Sequence, residues 1–67
     1  MNPTNFAQLV RKTQDSYNRA ERQTAMARFK ARRAEGAKRE EFLAAADKHD
    51  ARRIRYGQQL HKLACTA

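Results

Sequence analysis

Apolar and small residues recur along the first half of the chain at intervals of three and four: Phe6, Leu9, Val10, Thr13, Tyr17, Ala20, Thr24, Ala27 and Ala31. That spacing gathers them on one face of an α-helix. A second stripe, Phe42, Ala45, His49, Tyr56, Leu60 and Leu63, repeats the pattern with one gap at Arg52 and Arg53. β-branched residues are few and never alternate with polar ones, so no strand is predicted. Between the stripes, Ala34-Glu35-Gly36-Ala37 is the break, because glycine adopts the left-handed conformation that closes a helix. Most other positions hold Ala, Arg, Lys, Glu, Gln, Leu or Met, the strong helix formers. The pattern predicts an all-α fold over residues 1–67 as a single domain: a two-helix antiparallel hairpin with helices near 5–34 and 37–64 and a turn at 35–36.

Folding the chain at that turn brings Phe42 level with Phe29, Leu60 with Val10 and Leu63 with Phe6. The bulky residues therefore meet at the open end, and the alanine-rich parts meet near the turn. Two starts compete for the first helix. Asn2 before Pro3 offers an N-cap and a first helical residue, while Asn5 with Gln8 three residues on offers a capping box. Gly57 interrupts the second stripe at a cost of about 1 kcal/mol relative to Ala. A continuous second helix is preferred, and a short third helix from Gln58 is the alternative, giving three short helices.

At 67 residues, a hairpin buries too little surface to rely on its own core. Cys65 is the only cysteine, so no internal disulfide can help. Support is expected from a second copy or from docking on a partner. Leu43, Ile54, His61 and Cys65 form a secondary stripe on the same side as Ala25 and Phe29, and two hairpins joined there make a four-helix bundle. The first residues lack a basic leader, and no run approaches the roughly 20 apolar residues that span a bilayer. A soluble, cytoplasmic chain is the expectation, and its apolar face is too rich in alanine to favour a membrane-surface helix.

Charge narrows the partner. There are 15 Lys and Arg against 7 Asp and Glu, a net charge of +8. A field of that sign attracts nucleic acid or an acidic protein surface. Acids three or four positions away are available to Arg19 (Asp15), Arg32 (Glu35) and Arg53 (Asp50), but not to Arg22, Arg28, Lys30, Arg33, Arg52 or Arg55. Arg11, Arg22 and Arg33 recur every eleven residues, about three helical turns, opposite the core stripe and beside Met26 and Phe29. Arg, Met and Phe together have the make-up of a binding hot spot.

Enzymatic chemistry finds no foothold. Ser16 is the only serine, with no His near it in sequence, and adjacent Glu40 and Glu41 do not face each other on a helix. They are placed to favour the positive end of the second helix. His61 and Cys65, four apart, could both reach one metal, a weak signal that predicts no metal or other cofactor. His49 falls on the packing stripe, where a hydrogen-bonded histidine is expected.

The expected function is a small basic helical binding protein, not an enzyme, that contacts nucleic-acid backbone, RNA or DNA. The residues assigned to it are Arg11, Arg22, Met26, Arg28, Phe29, Lys30, Arg32, Arg33, Lys38, Arg39, Arg52 and Arg55. The alternative is a protein-binding inhibitor or adaptor docking through Arg22, Met26, Phe29 and Arg33. The hairpin resembles in form small dimeric RNA-binding bundles. A basic helical mini-protein is also similar in style to accessory inhibitors of mobile elements, anti-CRISPR proteins included. Both are likenesses of form and carry no residue across.

Overall fold

A computed structural model describes residues 3–66 and consists of two helices, α1 (Pro3–Arg33) and α2 (Gly36–Thr66), packed side by side. The chain reverses at Ala34 and Glu35. Ala34 N donates to Ala31 O at 3.3 Å, tightening the last turn of α1, and Gly36 follows in the left-handed region at φ +60°. The break therefore falls within the expected four residues, one position earlier than the expected 35–36. Lys30, Arg32 and Arg33 in the last turn of α1 face the negative end of its dipole. At the other end, α1 already includes Pro3, so Asn5 lies inside the helix and does not cap it. The competing cap, Asn2, is outside the described residues.

α2 runs unbroken through Gly57, so the three-helix alternative does not form. Tyr17 packs against this glycine: a Cβ built on Gly57 would lie 3.4 Å from Tyr17 Cε2. Because α2 opens at Gly36, Glu40 and Glu41 fall in its second turn, beyond the reach of the dipole's positive end. Glu41 pairs with Lys38 instead, at 3.7 Å.

The contact between the helices follows a seven-residue rhythm. In α1 the buried or half-buried positions include Phe6, Thr13, Ala20, Ala27 and Ala34, interleaved with Val10, Tyr17, Thr24 and Ala31. In α2 they include Phe42, His49, Tyr56 and Leu63, interleaved with Ala46, Arg53 and Leu60. A strict repeat of seven keeps the seam of each helix facing its neighbour, as in a left-handed coiled coil. Among the described residues only small ones are buried: Ala20, Ala27, Ala31, Ala46, Thr13 and Thr24. Each buried threonine satisfies its hydroxyl within its own helix. Thr13 Oγ1 donates to Leu9 O and Thr24 Oγ1 to Ala20 O, both at 2.8 Å.

The gap in the second stripe is where the seam turns polar. Arg53 lies half-buried, its Nε donating to Asp50 Oδ1 at 2.9 Å and its Nη1 reaching Tyr17 Oη at 3.5 Å across the hairpin. The Tyr17 hydroxyl and the Asp50 carboxylate together raise the Arg53 pKa above its ordinary value. The guanidinium stays charged throughout the neutral range, and any stability it lends is lost only as pH rises through that elevated value. His49 departs from expectation: its Nδ1 is buried without a hydrogen-bond partner, as is Gln23 Oε1 across the same groove.

The outcome is a rod. Its Cα atoms span 51 × 15 × 11 Å, and its radius of gyration of 15.3 Å exceeds the roughly 11 Å of a compact domain this long.

Candidate nucleic-acid interface

Two helices side by side leave two broad sides and two narrow backs. The seven-residue phase sorts most exposed residues among them, with Met26 on the edge between one broad side and the back of α1. One broad side is marked by a groove lined by Gln23, Met26, Ala27 and Lys30 of α1 and Phe42, Ala45 and His49 of α2. Stepping by sevens from those residues adds Lys12 and Arg19 on α1 and Lys38 and Arg52 on α2. Glu41, Lys48 and Arg55 flank that α2 row about one turn on, three positions beyond Lys38, Ala45 and Arg52, and all of these are exposed except Ala45. The other broad side is marked by the Arg28–Asp50 ion pair across the helices at 3.8 Å. A groove lined by Tyr17, Ile54, Gly57 and His61 lies on it as well. Stepping by sevens adds Glu21 on α1, with Glu40, Leu43 and Asp47 on α2. Ala25 and Arg32 flank Glu21 and Arg28 one turn on, four positions beyond them, and Arg11 is in phase with Ala25 and Arg32.

Charge is divided unequally between these sides. The first holds Lys12, Arg19, Lys30, Lys38, Lys48, Arg52 and Arg55 against a single acid, Glu41, which Lys38 engages. The second mixes Arg11, Arg28 and Arg32 with Glu21, Glu40, Asp47 and Asp50. We call them the basic side and the mixed side. Among the described residues, Lys12, Arg19, Lys30, Lys48, Arg52 and Arg55 have no carboxylate within ion-pair distance. Lys30 rests instead over the Phe42 ring, its Nζ 5.9 Å from the centroid.

Every residue assigned to binding from the sequence is exposed, but the structure does not gather them on one surface. Lys30, Lys38, Arg52 and Arg55 lie on the basic side. Arg28 and Arg32 lie on the mixed side with Arg11, and Arg28 has a partner in Asp50 that intrahelical spacing could not reveal. Arg39 falls in phase with the α2 seam, near the turn. Arg22, Met26 and Phe29 come together with Ala25 around one apolar depression on the back of α1. The Arg33 guanidinium covers the Phe29 ring at 4.7 Å. Arg11 stands three turns away, about 17 Å along the helix from Arg22, so the eleven-residue row contributes two arginines to this patch.

Sequence reasoning missed Lys12, Arg19 and Lys48. Arg19 was set aside because Asp15 is four positions away, yet that pair does not form among the described residues, nor does Arg32–Glu35. Only Arg53–Asp50 does. Stepping by sevens from Lys12 to Arg19, and from Lys48 to Arg55, is the signal that would have found them.

His61 Nε2 and Cys65 Sγ lie 3.6 Å apart on the exposed face of α2. Among the described residues no group of three or more His, Cys, Asp or Glu side chains could hold a metal ion. None of the described helices is long and apolar enough to cross a membrane. No protein-family model matches the chain, and no curated protein or solved structure matches it significantly.

Proposed function

We propose that this chain binds the phosphate backbone of nucleic acid, with little sequence preference, through the basic side of the hairpin. One observation carries the reading. Lys12, Arg19 and Lys30 of α1 and Lys48, Arg52 and Arg55 of α2 share that side without carboxylate partners. A fold pays for such crowding in self-repulsion, and a polyanion relieves it by exchanging its condensed counterions for these side chains. The rod shape suits a linear partner, since a 51 Å body runs alongside roughly 15 base pairs at 3.4 Å each. The test is a salt titration of binding to labelled duplex DNA and RNA of unrelated sequences. Affinities that differ little between sequences and fall steeply with salt are expected. No binding at low salt, together with a lysate partner retained after nuclease digestion, overturns the proposal.

A second reading has its own observation. Arg22, Met26, Phe29 and Arg33 form one exposed patch on the back of α1, with Met26 55% and Phe29 50% exposed. An arginine stacked on an exposed aromatic beside a methionine is the composition of a protein-docking hot spot. An inhibitor or adaptor working through this patch loses binding at any salt when Phe29 or Met26 becomes Ala, whereas backbone binding through the basic side does not. In either case the working unit is read as a homo-oligomer in the cytoplasm.

A further inference from the structure

The mixed side is built for a different occupant. Leu43 and Ile54 stand on it 38% and 47% exposed, separated by about three helical turns. The accessible surface of the chain is 5456 Å², against about 4,400 Å² for a compact monomer of its mass. The excess of about 1,000 Å² is close to the roughly 800 Å² that one partner hides in a standard interface. So the hairpin exposes about one interface more than a chain of this size should.

Charge says which partner fits. On the mixed side, α1 contributes mainly cations, Arg11, Arg28 and Arg32 with Glu21, while α2 contributes the acids Glu40, Asp47 and Asp50. A two-fold axis running along the helices lays α1 of one copy over α2 of the other. Since Lys30 reaches Phe42 across the hairpin, Arg32 stands level with Glu40, and Arg28 lies close to the level of Asp47. Each pairing then occurs twice, as a two-fold interface requires. The basic side would meet only its own like charge and cannot serve this way.

We propose that two copies of this chain pack their mixed sides together around Leu43 and Ile54. The resulting four-helix bundle turns its two basic sides outward in opposite directions and so bridges two segments of nucleic acid. The bridging half rests on the backbone-binding reading above; the pairing half does not. One dimer then acts as a bivalent linker, because neither basic side can reach the segment held by the other.

Mass and bridging are measured on the same samples. Light scattering is expected to give twice the 7.8 kDa chain mass. An immobilised duplex is expected to retain a free fluorescent duplex only when the protein is present. Leu43→Asp with Ile54→Asp should run at the mass of one chain and still bind a single duplex, while duplex capture falls to background. Leu43→Gln with Ile54→Gln should do the same without changing the charge. If either variant loses its helical circular dichroism, the wild-type melting midpoint decides. A midpoint that rises with protein concentration supports a dimer on which folding depends, and a constant one overturns the pairing. A wild-type chain that stays at single-chain mass at all concentrations overturns the proposal, as does a double-Asp variant that remains folded and dimeric. A dimer that binds duplex but never bridges overturns the bivalent arrangement. A dimer that binds no duplex at any salt removes the backbone-binding reading and the bridging with it, and leaves the pairing standing.

Discussion

The two broad sides of this hairpin are made from the same two helices, yet they differ in how much charge of each sign they carry and in how it is arranged across the seam. On the mixed side, cations of α1 lie opposite acids of α2, and Arg28 reaches Asp50 at 3.8 Å. On the basic side, cations from both helices face the same way, and the one acid, Glu41, is taken by Lys38. Composition alone would spread a net charge of +8 evenly over the rod. The segregation comes from phase: a seven-residue repeat returns Lys12 to Arg19 and Lys48 to Arg55 on one edge. Net charge sets how strongly a polyanion is attracted, and phase sets where it sits.

The largest expected effect tests that contrast directly. Replacing Lys48, Arg52 and Arg55 together by Gln should lower duplex affinity on the order of a hundredfold at low salt. It should also flatten the log–log salt dependence by about 0.9 for each phosphate that is no longer neutralised. Replacing Arg11, Arg28 and Arg32 by Gln removes the same charge from the mixed side and should leave most of that slope intact. Equal losses from the two triples would mean that the field of the whole rod, and not one side, does the binding.

Next in size is the turn that holds the two rows of cations in register. Gly36 sits at φ +60° with open space around it, so Gly36→Ala adds no clash and its cost is purely conformational, about 1–2 kcal/mol. The lower melting temperature should come with weaker duplex binding if both helices contribute to one interface. A smaller effect is expected on the mixed side. Asp50→Asn removes the carboxylate that engages Arg28 and Arg53, and partly exposed pairs of this kind contribute about 0.2–1 kcal/mol. Thermal unfolding in low and high salt measures it. The destabilisation should shrink as salt rises, while affinity for duplex should not fall, because the change removes a negative charge.

Both helices, the position of the turn to within one residue and the apolar stripe of α1 were legible in the sequence, because glycine and three-and-four spacing are local signals. The stripe of α2 was half legible. Its gap at Arg52 and Arg53 hid a seam position, since an arginine reads as solvated until Tyr17 and Asp50 are seen beside it. The cations were all visible, but their allotment to sides was not. Pairing Arg19 with Asp15 by spacing treated a possible contact as a formed one, and the Arg28–Asp50 pair joins residues from different helices. The patch of Arg22, Met26, Phe29 and Arg33 could be read ahead because it lies within three turns of a single helix.

The last expected effect is of similar size and has the opposite sign. Gly57 lies inside α2 beside Tyr17, on the edge of the mixed-side groove. A glycine in a helix interior gives the unfolded chain freedom that alanine would not, so Gly57→Ala should stabilise the hairpin by about 0.4–1 kcal/mol where the new methyl fits. It would meet Tyr17 Cε2 at 3.4 Å and Cδ2 at 3.8 Å, ordinary contact that a small rotation of the ring accommodates. Circular dichroism melts should therefore move upward, with duplex affinity unchanged because the basic side is untouched. If the melting temperature falls instead, the Tyr17 ring cannot yield. The ring would then be held where its hydroxyl meets Arg53, and the glycine is required by that contact between the helices, not merely tolerated.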